Sequence, residues 1–192
     1  MTATIIFLNG TSSSGKTSIL KALQDQLPDP FLDMGIDRFI FMLPKRYLNR
    51  PLWDDVLGKA IEPGAAGRVL FSGMHHAIAA VAQRGNHVIA DHVFVQQAWV
   101  EECAQLFAKM NAYLIGIQCP LEILEQRERE RQDRTLGQAR AQYEVIHQYT
   151  EYDLEVDTSI SSAEECAQTI NERLKTAPIA FSRIRNRARF SH

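Results

Sequence analysis

Apolar and polar positions fall in blocks along this chain. Ile5, Ile6, Phe7 and Leu8 form an unbroken apolar run bounded by Asn9 and Gly10. A short run of strand formers with that boundary predicts a parallel strand buried on both faces. From Asn9 to Ser18 every residue is small or polar, and then the pattern changes period. Ile19, Leu20 and Leu23 share one face of a helix predicted over 15–27, which Pro28 and Pro30 end. The same alternation continues downstream. Strands are predicted at 31–36, 87–91, 112–118 and 152–156. Helices are predicted at 68–84, where Gly85 stops the pattern, and at 96–110, 120–132 and 138–147. Ser161 and Ser162, each three residues before a glutamate, offer two registers of a capping box for a last helix ending near Leu174. Five strands alternating with helices predict an α/β, three-layer fold with a five-stranded parallel sheet. There is no internal repeat.

Ligands in such sheets bind beyond the carboxyl ends of the strands, so the residues just after each strand carry the candidate chemistry. After the first strand, Gly10 to Thr17 reads G-T-S-S-S-G-K-T. This fits the phosphate-binding loop pattern, and its required strand and helix flanks are both predicted. Gly10, Thr11, Ser12, Ser13, Ser14 and Gly15 let successive N–H groups turn inward toward phosphate oxygens. The start of the next helix, through Ser18, adds positive dipole. Lys16 is placed to reach the β- and γ-phosphates, and the Thr17 hydroxyl to ligate Mg²⁺. ATP and Mg²⁺ are therefore the expected cofactors.

Two acids occupy neighbouring strand ends. Asp91 closes Val88-Ile89-Ala90 and is the candidate second Mg²⁺ residue; a helix N-cap or turn residue is the plain alternative. Asp37 follows Met34-Gly35-Ile36 and can face the terminal phosphate from the acceptor side. There it would orient a substrate hydroxyl, which matters more than basicity when the nucleophile keeps its proton until late. Its plain alternative is the N-cap of a helix at 38–43.

The densest charge block is Gln126 to Arg134. Arg127, Arg131 and Arg134 lie at i, i+4 and i+7, on one helical face, and Gly137 supplies a break after them. Cations carried on a lid over the transferring group suit phosphoryl transfer. The competing reading is a solvated face, since Glu125–Arg129 and Glu130–Arg134 are ordinary i,i+4 pairs.

With these motifs in place, the chain resembles the chloramphenicol 3-O-phosphotransferase family, among the P-loop small-molecule kinases. The resemblance spans about 4–174. It rests on Leu8-Asn9-Gly10, on Gly35-Ile36-Asp37 at fixed distance from the loop, and on Val88 to Asp91. Asp133-Arg134, His147 and Tyr152 to Thr158 extend it. It implies ATP-dependent phosphorylation of a hydroxyl on a small molecule, with Lys16, Asp37 and Arg134 as catalytic residues. Arg127 and Arg131 would join the nucleotide site, and 153–158 would lie near the base. Residues 127–140 would form the lid and 38–67 the acceptor side, within a kinase domain of 1–176. His92 and Gln132 depart from the family pattern, so the acceptor itself stays open between an antibiotic and a nucleoside, nucleotide or metabolite. Phe39, Phe41, Trp53, Phe94 and Trp99 would line an acceptor pocket or, equally, fill the core.

Composition narrows the classes further. At 192 residues and 45% hydrophobic, the chain is long enough for one domain with a real core. A net charge of −2 gives no electrostatic case for nucleic acid or membrane binding, and homo-oligomerisation is left open. No apolar run reaches transmembrane length, and the N-terminus lacks the features of a signal peptide. Cys103, Cys119 and Cys166 are scattered, as reduced thiols of a cytoplasmic protein would be. A GTPase is disfavoured: there is no N-K-x-D, and the D-x-x-G at 55–58 follows no strand. Residues 177–192 form a basic end in which Arg183, Arg185, Arg187 and Arg189 alternate. Without 175–192 and its five basic side chains, the formal charge falls from −2 to −7. Such an end is expected to be a mobile or weakly docked extension.

Overall fold

The computed structural model describes residues 3–49, 61–130 and 137–190. The elements run β1 Thr4–Asn9, α1 Lys16–Gln26, β2 Phe31–Asp33, α2 Ile36–Ile40, α3 Ala65–Gln83, β3 His87–His92, α4 Gln97–Phe107, β4 Asn111–Gln118, α5 Leu121–Glu130, α6 Gln138–Tyr143, β5 Leu154–Asp157, α7 Ala163–Arg173 and α8 Ala180–Phe190, with a 3₁₀ turn at Lys45–Leu48. The five strands form one parallel sheet in the order β2-β3-β1-β4-β5. The expected three-layer architecture is the observed one.

Period-two alternation explains how one apolar run serves two cores. Ile5 and Phe7 of β1 face one layer, with Val88 and Ala90 of β3 and Leu114 of β4. There they meet Phe71, Met74 and Ile78 of α3, Val100 and Phe107 of α4, and Phe181 of α8. Ile6 and Leu8 face the other layer, against Ile19, Leu20 and Leu23 of α1 and Cys166 and Ile170 of α7. A chain with hydrophobes on only every second position could not fill both.

Several boundaries differ from the sequence reading. The second strand ends at Asp33, not at residue 36, because the Asp33 carboxylate accepts from the Gly35 amide at 3.2 Å and turns the chain into α2. The helix expected at 138–147 stops at Tyr143, and the last strand begins at Leu154. Of the two capping-box registers, Ser162 with Glu165 forms: Ser162 Oγ accepts from the Glu165 amide and Glu165 Oε2 accepts from the Ser162 amide.

The basic end is corrected outright. Residues 180–190 form α8, and Ala180, Phe181 and Ile184 are buried in the main core. The alternating arginines drew attention to charge, while Phe181 and Ile184, three apart on one helical face, supplied the burial.

Candidate active site

β1 lies between β3 and β4, so the chain leaves its carboxyl end where neighbouring connections part to opposite sides. The loop 10–17 fills that point. Gly10 is required there because a Cβ would lie 2.8 Å from Ile117 O. Ser13 at φ 63° and Gly15 at φ 91° provide the left-handed turns that curl the loop. Lys16 is buried and arches back so that Nζ donates to Gly10 O at 2.7 Å and Thr11 O at 2.6 Å. Those bonds hold the ammonium over the loop. The hydroxyls of Ser12, Ser13 and Ser14 are buried and have no hydrogen-bond partner among the described residues. Buried hydroxyls are rarely left so.

Asp91 faces α1 from β3. Thr17 Oγ1 donates to Asp91 Oδ2 at 3.3 Å. Burial pushes the Asp91 carboxyl above its usual range, while the Lys16 ammonium pulls it back down; Asp37 and Asp33 nearby push it up. An N-cap role for Asp91 is not what is seen, since β3 continues to His92. Asp37 is also no N-cap. That position is Gly35, and Asp37 stands in the first turn of α2.

These residues share a cavity of about 220 Å³ lined by Ser12 to Ser18, Lys21, Ile36, Asp37, Ile40, Asp91, Val93, Gln138 and Gln142. A second cavity, of about 420 Å³, opens on the other side of the loop. Ser13, Gly15 and Ser18 line both, and Arg127, Glu130, Thr158 and Ser161 line the second. Arg127 donates to Thr158 Oγ1 at 3.0 Å and Thr158 O at 2.7 Å, and Thr158 Oγ1 donates to Ser14 O at 2.9 Å. The first candidate arginine is thus tied to the loop through the residue after β5. Arg131 and Arg134 lie outside the described residues, as do Trp53 and the 55–58 sequence. Phe39, Phe94 and Trp99 are core residues, and Phe41 is exposed.

Some of the cavity was not anticipated. Gln142 is fully buried and accepts from the Ser12 amide; Gln138 stands one helical turn before it on α6. No motif marks either. Lys21 was within reach, because Thr17 and Lys21 are i,i+4 on one face of α1. Asn9 anchors the loop's start. Its Nδ2 donates to Ile146 O at 2.8 Å and Tyr152 Oη at 2.7 Å, and its Oδ1 accepts from the Phe94 amide. Burial raises the Tyr152 phenol to about 12, so it stays a neutral donor and acceptor.

Thr17 and Asp91 offer hard oxygen ligands beside a polyphosphate-shaped loop, which suits Mg²⁺. No three His, Cys, Asp or Glu gather as a metal cage among the described residues. A Mg²⁺ ion in such a site takes one or two carboxylates and completes its shell with phosphates and water.

Sheet order and the loop at its centre together define a P-loop kinase fold. Solved structures agree: a sugar kinase from Janibacter sp. superposes with a TM-score of 0.66 at 16% identity, covering 92% of this chain and 96% of that one. The Mycobacterium tuberculosis APS kinase, in complex with AMPPNP and APS, gives 0.63 at 17% identity, covering 91% and 98%. The Deinococcus radiodurans tunicamycin resistance protein gives 0.64 at 15%, covering 92% and 98%. Sequence gives the nearer kinship. The chain belongs to the family described as chloramphenicol phosphotransferase-like, which it matches over residues 3–175. It is also 32% identical over 198 residues to a Mycobacterium tuberculosis protein, of strain H37Rv, named "Putative O-phosphotransferase"; the match covers 95% of this chain and 88% of that protein.

Proposed function

We propose that the chain transfers the terminal phosphoryl group of ATP to a hydroxyl of a small molecule. The observation that carries this reading is the loop itself. Three serines with buried hydroxyls unpartnered among the described residues and an anchored lysine line one cavity with the carboxylates of Asp91, at the end of β3, and Asp37, in the first turn of α2. A terminal phosphate would satisfy those hydroxyls, and its charge would meet Lys16. The base and ribose would occupy the second cavity, against the Arg127–Thr158 pair that lines it. Thr17 and Asp91 would hold Mg²⁺, which supplies charge neutralisation on the phosphate oxygens. Asp37 would accept a hydrogen bond from the acceptor hydroxyl and turn its oxygen toward phosphorus. The new P–O bond then forms as the bond to the bridging oxygen breaks, ADP leaves with the electron pair, and the hydroxyl proton passes to Asp37 or water. Arg131 and Arg134 would add positive charge over the transferring group. Three buried cysteines without a disulfide suit a reducing, cytoplasmic setting.

The test is mass spectrometry of purified protein with Mg-ATP and chloramphenicol, with Lys16→Ala as the control. A product heavier by one phosphoryl group, made only with Lys16 intact, is the expected result. If chloramphenicol gives none, the assay moves to hydroxylated metabolites and nucleosides. A product there keeps the chemistry and changes the acceptor. Nucleotide binding without transfer to any of them would leave a binding protein and defeat the kinase reading.

A further inference from the structure

Gln142 touches the phosphate loop from outside its sequence pattern. Its side chain is fully buried on α6, and Oε1 accepts a 2.7 Å hydrogen bond from the Ser12 amide. Ser12 lines the transfer cavity but not the base-side cavity, whereas Ser13, Gly15 and Ser18 line both. A nucleotide lying through the two cavities therefore has its terminal phosphate at the Ser12 end. Its inner phosphates lie at the start of α1.

Gln142 is itself held from behind. α6 has six residues, too few to be a stable helix alone. Glu128 of α5, only 2% exposed, secures its first turn: Oε2 accepts from the Gly137 amide at 2.7 Å and Oε1 from the Ala139 amide at 3.0 Å. On the outer surface Arg140 pairs with Glu125 at 2.6 Å. A line of hydrogen bonds thus runs from α5 through α6 to the crown of the loop.

We propose that Gln142 is a positioning residue for the terminal phosphate, and that Glu128 acts through it. The bond to Gln142 orients the Ser12 peptide so that the following amides and the serine hydroxyls face the outermost phosphate. Lys16, whose Nζ donates to Thr11 O of that same peptide, goes with the outermost phosphate, while the inner phosphates meet Gly15 and Ser18, which line both cavities and do not depend on that bond. The inference rests on the nucleotide reading above and adds to it a residue that distinguishes a triphosphate from a diphosphate.

The experiment is calorimetric titration of the full chain, in Mg²⁺, with ADP and with the non-hydrolysable analogue AMPPNP. Gln142→Met keeps length and apolar packing but removes the acceptor. AMPPNP affinity is expected to fall about tenfold, the scale of one hydrogen bond, while ADP affinity changes less than about twofold. Glu128→Gln turns one of its two acceptors into a donor and should give the same selective loss. The double variant should be no worse than the weaker-binding single, because both act along one line. This second variant also covers the case in which Gln142→Met does not fold. A role in fold stability alone would lower both affinities together. Equal losses for both ligands, or an unchanged ratio in a folded variant, overturn the assignment while the nucleotide reading stands. A wild-type protein that binds neither ligand overturns both.

Discussion

Gly35 and Asp37 sit two residues apart and serve opposite needs, one by lacking a side chain and one by presenting it. A Cβ at residue 35 would stand 1.8 Å from Asp91 Oδ1. Gly35→Ala must push the carboxylate off Thr17, and under the proposed Mg²⁺ role of Asp91 a displacement of that size should cost about 10²-fold in rate. We expect that loss with a raised Mg²⁺ requirement, measured as turnover against Mg²⁺ concentration; an unchanged Mg²⁺ profile would sink the assignment of Asp91. Asp37→Ala should behave differently. Turnover is expected to drop about 10²–10⁴-fold, the range for a positioned proton acceptor, with nucleotide affinity within twofold. Parallel loss of nucleotide binding would move Asp37 from the acceptor to the nucleotide. That Lys16, Thr17, Asp37 and Asp91 share one cavity was legible in the sequence because each belongs to a short motif at or just beyond the carboxyl end of a predicted strand. Gln142 was not. It meets Ser12 across 130 residues, and nothing around it in the chain differs from any polar helix position.

Apart from α8, which the sequence reading missed, the elements were predicted in type and order, and they erred at their ends, where side chains compete with backbone periodicity. Asp33 cuts β2 short by capping its own turn. The Tyr152 ring lies so close over Gly116 that a Cβ there would be 2.7 Å from it, which sets where the chain enters β5. The packing of α3 and α4 on β3 adds a buried polar tie that the apolar pattern hid. Ser72 Oγ donates to Glu102 Oε1 at 2.6 Å, His75 Nδ1 bonds Glu102 Oε2, and His75 Nε2 lies 2.9 Å from His92 Nε2. The bond from His75 holds the Glu102 carboxyl below its usual 4.5. Burial, then the neighbouring His75, holds His92 well below 6.5. Both folded values are depressed, so each group contributes stability that is present above its unfolded value and lost as pH falls through the folded one. The urea midpoint should therefore begin to decline as pH drops below 6.5 and decline further below 4.5. Glu102→Gln should flatten the lower limb and His92→Gln the upper one. Identical slopes in wild type and both variants would show that the tie carries no linkage.

At the scale of the molecule, the question is whether the C-terminal helix is an appendage or part of the core. Composition favoured an appendage, and the family match ends at residue 175. The contacts favour the core. Phe181 stacks edge-on with Phe7 of the central strand, ring centroids 5.5 Å apart, and lies 5.8 Å from Phe107 of α4. The side chain of Asp153 is fully buried where α8 begins. Its Oδ1 accepts from the Ile179 and Ala180 amides and pairs with Arg173, while Oδ2 accepts from the Leu114 amide of β4. One carboxylate thus joins the helix to the sheet, with charge-assisted bonds at both ends. Phe181→Ala empties a site walled by Phe7 of β1 and Phe107 of α4 and should cost about 3–5 kcal/mol. For a chain of this size that lowers Tm by about 6–20 °C. Replacing Arg183 and Arg187 by Gln, on exposed positions of the same helix, should change Tm by about 1–2 °C at most. The two variants separate the readings by calorimetric melting. If Phe181→Ala melts like wild type, α8 is an ornament on a fold complete at residue 176. If it melts early and the arginine variant does not, the last helix belongs to the core that presses β1, and with it the phosphate loop, into place.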